Sequence, residues 1–258
     1  MGFCLGKAVS GGGIVSKPKV LVLYAPGTNC HFETMEAFRL AGGEPRLCVL
    51  TEDLIKGKQK LHETDLLAFP GGFSFGDHIA AGRIFAIDLV YRLRDQLWEA
   101  KERGIPMIGI CNGFQILINT GLLPGNDSLG KPHALLDRNQ KAIFVSAWVT
   151  LYVQPDTACL WTKGLEHRSL RMPTAHGEGR LLLPQNFDER YTVFRYGKME
   201  GVESFPDNPS GSPKGRAGIC DPTGRILGLM PHPERAIYPW LGSVDGLEIF
   251  KTGVNAVK

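Results

Sequence analysis

The chain has 258 residues, of which 43% are hydrophobic and 21% are charged, and its formal net charge is +3. This composition is typical of a globular protein with a sizeable core, built as one large α/β domain or two small ones. The small charge excludes a nucleic-acid footprint, and no apolar run reaches membrane-spanning length. Six cysteines without C-x-x-C spacing predict reduced thiols and a cytoplasmic protein.

The beginning of the chain differs from the rest. Residues 1–17 include three consecutive glycines and lack the long apolar core of a secretory signal, so we expect a flexible leader. No internal repeat and no long linker follows. Residues 18–258 are therefore predicted to form a single domain.

Apolar runs and turns alternate in the first half of the chain. The predicted strands cover residues 19–24, 46–50, 66–69 and 107–110. A helix capped by Thr28 or Asn29 should follow the first strand. A second helix of about five turns should follow the third strand, with one apolar face formed by Phe85, Leu89, Leu93 and Leu97. This alternation predicts a mostly parallel central sheet with helices on both faces.

The second half has a different pattern. Short apolar segments separated by polar breaks predict strands at residues 142–154, 159–161, 180–183, 216–220 and 226–230. The last two should pair as an antiparallel hairpin, and a final helix is expected from about Asp245. The α/β domain should therefore have an additional antiparallel portion in its C-terminal half.

A cysteine lies at the junction of the fourth strand and the next helix, in the segment Gly109-Ile110-Cys111-Asn112-Gly113. Glycines two positions before and after a nucleophile are typical of a nucleophile elbow, a strained turn between a strand and a helix. The N-terminal end of that helix would favour a thiolate at Cys111. The alternative is a buried core cysteine that happens to follow a strand.

His232 lies between two prolines after an apolar segment, and Glu234 follows two residues later. In an extended segment residues i and i+2 point to the same side, so the Glu234 carboxylate can orient the imidazole. A thiol nucleophile needs such a base to take and return its proton. Taken alone, the pattern also fits a surface turn with a salt-bridged histidine.

Five motifs together resemble the class I, or triad, glutamine amidotransferases, and in particular the glutaminase subunits of phosphoribosylformylglycinamidine synthase. The motifs are PGTNC (26–30), PGGFSFGD (70–77), GICNGFQIL (109–117), AHGEG (175–179) and MPHPERA (230–236), in the order of the family. The leader and residues 151–171 depart from the usual family pattern. The resemblance covers the chain from about Lys19 to its end and implies a single-domain flavodoxin-like fold.

The resemblance implies an enzyme that hydrolyses glutamine to glutamate and ammonia. Cys111 would attack the side-chain amide, His232 would act as base and then as acid, and Glu234 would orient His232. The ammonia would pass to a synthetase subunit that converts formylglycinamide ribonucleotide (FGAR) to formylglycinamidine ribonucleotide (FGAM) in de novo purine (IMP) biosynthesis. This chain has no nucleotide-binding signature, so we expect no cofactor or metal here, with ATP and Mg²⁺ on the partner. A small third subunit is a further candidate partner.

The resemblance also implies roles for residues around the triad. The oxyanion hole would consist of the backbone N–H groups of Gly72, Phe73 and Asn112. The residues that bind glutamine would be Gln115, His176 and Glu178. For the last two, the alternative is a hydrogen-bonded loop without a role in binding.

Two other functions are consistent with a cysteine on an elbow. One is a stand-alone cysteine hydrolase or stress-response cysteine protein on a related fold, which would not require His232 and Glu234 beside the AHGEG motif. The other is a non-catalytic binding subunit, which an intact triad disfavours. Glutamine hydrolysis with and without a synthetase partner distinguishes these functions.

Overall fold

The first half of the chain folds into alternating strands and helices, as predicted. In the computed structural model, which describes residues 16–125 and 129–258, the strands are β1 (Lys19–Tyr24), β2 (Glu44–Val49), β3 (Leu66–Phe69) and β4 (Met107–Ile110). The helices are α1 (His31–Leu40), α2 (Arg83–Arg92), α3 (Arg94–Glu102) and α4 (Asn112–Thr120). A π-helical turn covers Leu50–Ile55. All but the last two residues of the predicted leader, 1–17, lie outside the described residues.

From residue 129 onward, strands predominate. They are β5 (Leu135–Asp137), β6 (Val145–Val153), β7 (Ser169–His176), β8 (Arg180–Leu182), β9 (Thr192–Tyr196), β10 (Arg216–Cys220) and β11 (Ile226–Leu229). The last helix, α5 (Asp245–Asn255), begins where the sequence predicts it. Among the described helices, none has both the length and the apolar character that crossing a membrane requires.

Nine of the strands form one sheet, in the order β2-β1-β3-β4-β11-β10-β9-β6-β7, and β5 pairs with β8 in a separate ribbon. The strands β2, β1, β3, β4 and β11 are parallel, in the flavodoxin-like order. From β11 to β7 each neighbouring pair is antiparallel. The predicted fold class is confirmed, including the antiparallel portion in the C-terminal half.

Three local predictions are wrong. The five-turn helix is interrupted at Leu93, where φ is −124° and ψ is 21°, although its apolar face is buried as expected. Residues 160–162 form a 3₁₀ turn rather than a strand, because this turn buries Trp161 against α5. Cys30 occupies the N-cap position of α1, since the Thr28 hydroxyl instead accepts a hydrogen bond within the turn after β1.

The parallel strands bring four of the five motifs to one edge of the sheet. The motifs at 26–30, 70–77 and 230–236 follow β1, β3 and β11, and the elbow follows β4. In open α/β sheets the crevice at the carboxyl ends of the strands is where ligands bind. The fifth motif, AHGEG, lies at the end of β7.

Candidate active site

Cys111 lies in the turn between β4 and α4 with φ at 52° and ψ at −107°, a backbone conformation that few residues other than glycine adopt. The turn packs tightly, since a Cβ atom on Gly113 would lie 1.8 Å from the carbonyl oxygen of Phe69. The Cys111 thiol donates a hydrogen bond to the Ala175 carbonyl oxygen, with an S···O distance of 3.7 Å. This turn has the strain of a nucleophile elbow.

His232 and Glu234 form a buried pair after β11, with 2.6 Å between Nδ1 and Oε1. Burial disfavours the charged imidazole, but the Glu234 carboxylate, helped by the Cys111 sulfur, outweighs it and raises the pKa of His232 well above its ordinary value. The other ring nitrogen, Nε2, has no hydrogen-bond partner in the described part of the chain. Nε2 is therefore the atom available for proton transfer.

Adjacent strands bring the nucleophile and the base together. β4 and β11 are parallel neighbours, and the Cys111 N–H donates to the Leu229 carbonyl oxygen at 2.8 Å. Both residues also bond to β7: the His232 N–H donates to the Pro173 carbonyl oxygen at 2.7 Å, while the Cys111 thiol bonds to Ala175. The two residues, distant in sequence, are thus held against the same strand.

Cys30 is a second thiol next to the triad. Its sulfur lies 4.0 Å from Nδ1 of His232 and accepts a hydrogen bond from the Arg235 guanidinium at 3.0 Å. Burial raises the pKa of the Cys30 thiol. Cys30, His232 and Glu234 place possible metal-ligating atoms within 4.8 Å of one another, but the cationic guanidinium against the sulfur opposes a metal ion there. Cys30 belongs to the PGTNC motif but was not among the predicted site residues.

The loop after β3 carries two of the predicted oxyanion donors. Its backbone includes left-handed conformations at Phe75 and Asp77, with φ of 54° and 51°. The N–H of Phe73 donates to the Gly27 carbonyl oxygen at 2.9 Å, so this group is engaged between the loops after β1 and β3. The role predicted for Phe73 would require its peptide group to rotate.

Cys111 lines a cavity of about 170 Å³. Other predicted site residues that line the same cavity are Gly72, Phe73, Gln115, His176 and Glu178. The remaining three, Asn112, His232 and Glu234, are buried and do not line it. Asp77, the last residue of the PGGFSFGD motif and not among the predicted site residues, also lines the cavity.

A chain of side-chain hydrogen bonds connects three segments around this cavity. Nδ2 of Asn112 donates to Oδ1 of Asp77 at 3.1 Å and to Oε1 of Gln115 at 3.0 Å. Nε2 of Gln115 donates to the backbone carbonyl oxygen of Glu178 at 2.7 Å. Gln115, predicted to bind glutamine, therefore joins α4 to the AHGEG loop.

Asn139 fixes the orientation of His176. Its Nδ2 donates to the carbonyl oxygens of Ile143 at 3.0 Å and His176 at 2.8 Å, so its Oδ1 faces Nδ1 of His176 at 3.0 Å. An acceptor at this position places the proton on Nδ1 and leaves Nε2 with a lone pair. Burial, together with the charge of nearby His232, lowers the pKa of His176 to about 4. No motif contains Asn139, so the sequence did not indicate it.

A larger cavity, of about 710 Å³, lies between residues 157–166 and the end of α5. Its lining includes Cys159, a thiol whose pKa is raised well above its ordinary value by burial and by the neighbouring Cys220. None of the predicted catalytic residues reaches this cavity. The predicted nucleophile and the predicted glutamine-binding residues therefore lie at the smaller cavity.

Comparison with known proteins gives the class to which this fold and site belong. The chain matches the family model of the CobB/CobQ-like glutamine amidotransferase domain over residues 17–254, so it is a glutamine amidotransferase. It is 41% identical over 257 residues to phosphoribosylformylglycinamidine synthase subunit PurQ of Dehalococcoides mccartyi, covering 95% of this chain and 98% of that relative. The PurQ subunit of Methanococcus maripaludis is also 41% identical, over 231 residues, with coverage of 86% and 83%. This chain belongs to the PurQ family of phosphoribosylformylglycinamidine synthase subunits.

Solved structures agree with this assignment. The structure of PurLQS from Thermotoga maritima matches 94% of this chain and 100% of that chain, with a TM-score of 0.76 and 34% identity. The glutaminase domain of Trypanosoma brucei CTPS, at 14% identity and a TM-score of 0.56 over 93% of this chain and 94% of that chain, shares the fold alone. The resemblance found in the five motifs is confirmed, and the alternative of a stand-alone cysteine hydrolase is not favoured.

Proposed function

We propose that this chain hydrolyses glutamine through Cys111, His232 and Glu234 and delivers the ammonia to a synthetase subunit. That subunit would use ATP to convert FGAR to FGAM. The observation that carries the proposal is the buried His232–Glu234 pair. It follows β11, the parallel neighbour of the elbow strand β4, and Nε2 of His232 has no hydrogen-bond partner in the described residues. The similarity to PurLQS of T. maritima supports a PurL-type partner and, as a third subunit, a PurS-type one.

The first half of the proposed reaction forms a thioester. Nε2 of His232 takes the proton of the Cys111 thiol, and the thiolate attacks the side-chain carbonyl carbon of glutamine. The imidazolium then gives this proton to the amide nitrogen, the C–N bond breaks and ammonia leaves. The raised pKa of His232 favours the imidazolium between these two transfers.

The second half releases glutamate. Nε2 of His232 takes a proton from a water molecule as its oxygen attacks the thioester carbon, and the C–S bond breaks. The proton returns to the Cys111 sulfur, so the enzyme regains its starting state. Throughout, the Glu234 carboxylate holds the Nδ1–H group and exchanges no proton itself.

Negative charge on the carbonyl oxygen of the tetrahedral intermediate requires N–H donors, each contributing about 3 kcal/mol in comparable enzymes. We assign this role to the backbone of Gly72, Phe73 and Asn112. Asn112 is the first residue of α4, where backbone N–H groups have no partner within the helix. The Phe73 N–H can join only after it leaves Gly27.

The proposal assigns no cofactor and no metal to this chain, and it places ATP and Mg²⁺ on the synthetase subunit. The lack of a nucleotide-binding signature in the sequence supports this division. A cytoplasmic location is part of the same proposal. It is supported by five free, buried cysteines in the described part of the chain, as expected in a reducing compartment.

The test is Cys111→Ala in the complex with the synthetase. We expect glutamine-dependent FGAM synthesis to be lost, while synthesis from ammonium chloride stays close to normal, because the two reactions use separate sites. Cys48→Ala, which removes a buried thiol from β2, is the matched control and should retain both activities. Loss of the ammonia-dependent reaction in a Cys111→Ala complex that still assembles, as judged by size-exclusion chromatography, would contradict separate sites.

A further inference from the structure

Two carboxylates and no cation line the cavity at Cys111. Asp77 and Glu178 are both half-buried there. The other described residues that line it are Gly72, Phe73, Ala81, Cys111, Gln115, Phe144, Ala175, His176 and Gly177. Glutamine carries a cationic α-ammonium group and an anionic α-carboxylate. The acidic side chains of this cavity complement the α-ammonium group of glutamine. The α-carboxylate would then be bound by backbone N–H groups.

The Asp77 carboxylate is fixed by one of its oxygens only. The backbone N–H of Gly82 and Nδ2 of Asn112 both donate to Oδ1, each at 3.1 Å. The second oxygen, Oδ2, has no hydrogen-bond partner among the residues that the structure describes. With its φ of 51°, Asp77 also has a backbone conformation that is costly for a residue with a side chain and that is concentrated at functional sites.

Glu178 is held through its backbone, whereas Asp77 is held through one carboxylate oxygen. Its backbone carbonyl oxygen accepts the hydrogen bond from Gln115, so the segment is anchored without using the carboxylate. No hydrogen bond or ion pair engages that carboxylate in the described residues. Because Asn112 bonds to both Asp77 and Gln115, one hydrogen-bonded chain sets the positions of both acids.

His176 adds an independent indication of a ligand that carries N–H groups. It lines the same cavity, is 3% exposed, and has an unpartnered Nε2 within the described structure. With Nδ1–H bonded to Asn139, this Nε2 can only accept a hydrogen bond. In addition, burial and the charge of Glu178 raise the pKa of Asp77, and a cation bound beside these acids would relieve that repulsion.

From this arrangement we infer that Asp77 and Glu178 bind the α-ammonium group of glutamine, with Nε2 of His176 as a further acceptor within the cavity. The inference rests on the proposed glutaminase function and specifies how its substrate is recognised. Asp77 thereby becomes a specificity-determining residue. It selects an amino acid over an amide that lacks the α-amino group.

The test uses the assembled complex and compares glutamine with 4-carbamoylbutanoate, which is glutamine without its α-amino group. Asp77→Asn retains an oxygen for Gly82 and Asn112 but removes the charge. We expect the KM for glutamine to rise about 10- to 100-fold, because a hydrogen bond between charged groups is lost, while kcat changes far less. For 4-carbamoylbutanoate, kcat/KM should be the same in wild type and variant.

Glu178→Gln is the second variant and should show the same selective effect. Glu63 is an exposed carboxylate outside the cavity, so Glu63→Gln controls for the loss of one negative charge. It should leave kcat/KM unchanged for both substrates. Ammonia-dependent synthesis reports folding and assembly for each variant.

Equal losses with both substrates in the two cavity variants, or an unchanged KM for glutamine, would overturn the assignment of the ammonium site. An assembled wild-type complex that does not hydrolyse glutamine would instead overturn the proposed function.

Discussion

The backbone N–H of Phe73 donates a hydrogen bond to the carbonyl oxygen of Gly27, with 2.9 Å between nitrogen and oxygen. The two loops are in close backbone contact here, since a Cβ atom on Gly27 would lie 2.1 Å from the Phe73 carbonyl oxygen. The Phe73 side chain is 48% exposed, so a partner protein can reach this loop. The structure thus shows a state in which one predicted oxyanion donor is engaged elsewhere.

We therefore expect the isolated chain to be a poor glutaminase that its synthetase partner activates. A partner that binds better to the state with a rotated Phe73 peptide would shift the population toward that state. Since one oxyanion donor contributes roughly 100- to 1,000-fold to turnover, activation of about 100-fold is expected. The measurement is steady-state glutamine hydrolysis by the chain alone and with partner, nucleotide and acceptor substrate. Full activity in the chain alone, unchanged on assembly, would contradict activation by the partner. It would not affect the roles proposed for Cys111, His232 and Glu234.

The second prediction concerns the division of labour between His232 and Glu234. Glu234→Gln should lower turnover far less than His232→Ala, by roughly 100-fold less if the subtilisin triad is a guide, because Glu234 orients the base without exchanging protons. Single-turnover glutamine hydrolysis measures both losses, and ammonia-dependent synthesis verifies that each variant assembles. Comparable losses would contradict the orienting role.

Much of the parallel half of the fold could be predicted because its strands are short apolar runs bounded by turns. The bounds of β1, β3 and β4 agree with those predicted. β7 was missed since Pro173 interrupts its pattern, and a proline lowers the expectation of a strand. The structure explains why Pro173 is tolerated: β7 is the last strand of the sheet and pairs with β6 on one side only.

The sequence predicted only those site residues that lie within recognisable motifs. The elbow at Cys111 follows from a local sequence rule. The contact between His232 and Glu234 was expected from an extended segment, but it is made across a 3₁₀ turn at Pro233–Arg235, which still brings the carboxylate to the ring. The contacts of Cys30 with the His232 ring and of Asn139 with the AHGEG loop join segments far apart in sequence, and no local pattern encodes them. Packing of the loops against one another determines these contacts.

The third prediction is selective alkylation of Cys111 by an electrophilic glutamine analogue, because its thiol alone among the described cysteines lines the cavity. Cys30 is 1% exposed, with a raised thiol pKa, and burial raises the pKa of Cys48 to about 12, so both should react slowly. Peptide mapping by mass spectrometry gives the order of modification. His232→Ala should slow the labelling of Cys111, and modification of a different cysteine first would relocate the nucleophile.

The fourth prediction concerns stability at acidic pH. The pKa of His176 is about 4 in the folded chain and near 6.5 in an unfolded one, so the unfolded state binds more protons between these values. Its contribution to stability is full above pH 6.5 and declines as the pH falls toward 4. Between pH 7 and pH 5, this residue should account for a loss of about 2 kcal/mol in the free energy of unfolding.

The measurement is denaturant unfolding of wild type and His176→Asn at both pH values. Asparagine can still donate to Asn139, so the variant should lack most of this pH-dependent loss while keeping the loop contact. His78→Asn, at an exposed histidine, serves as the control and should follow the wild type. Identical pH dependence in wild type and His176→Asn would show that the buried imidazole is not neutral.

Because β4 and β11 are neighbours in the sheet, the site can assemble only after β11 and His232 have been synthesised. A nascent chain that extends only through α4 has the thiol of Cys111, but it lacks both the imidazole of His232 and the strand that binds the Cys111 backbone. Contacts between segments so distant in sequence form slowly, because the entropy of closing a long loop opposes them. On the proposed mechanism, an unfinished or truncated chain therefore has a thiol without its base, and we expect it not to hydrolyse glutamine.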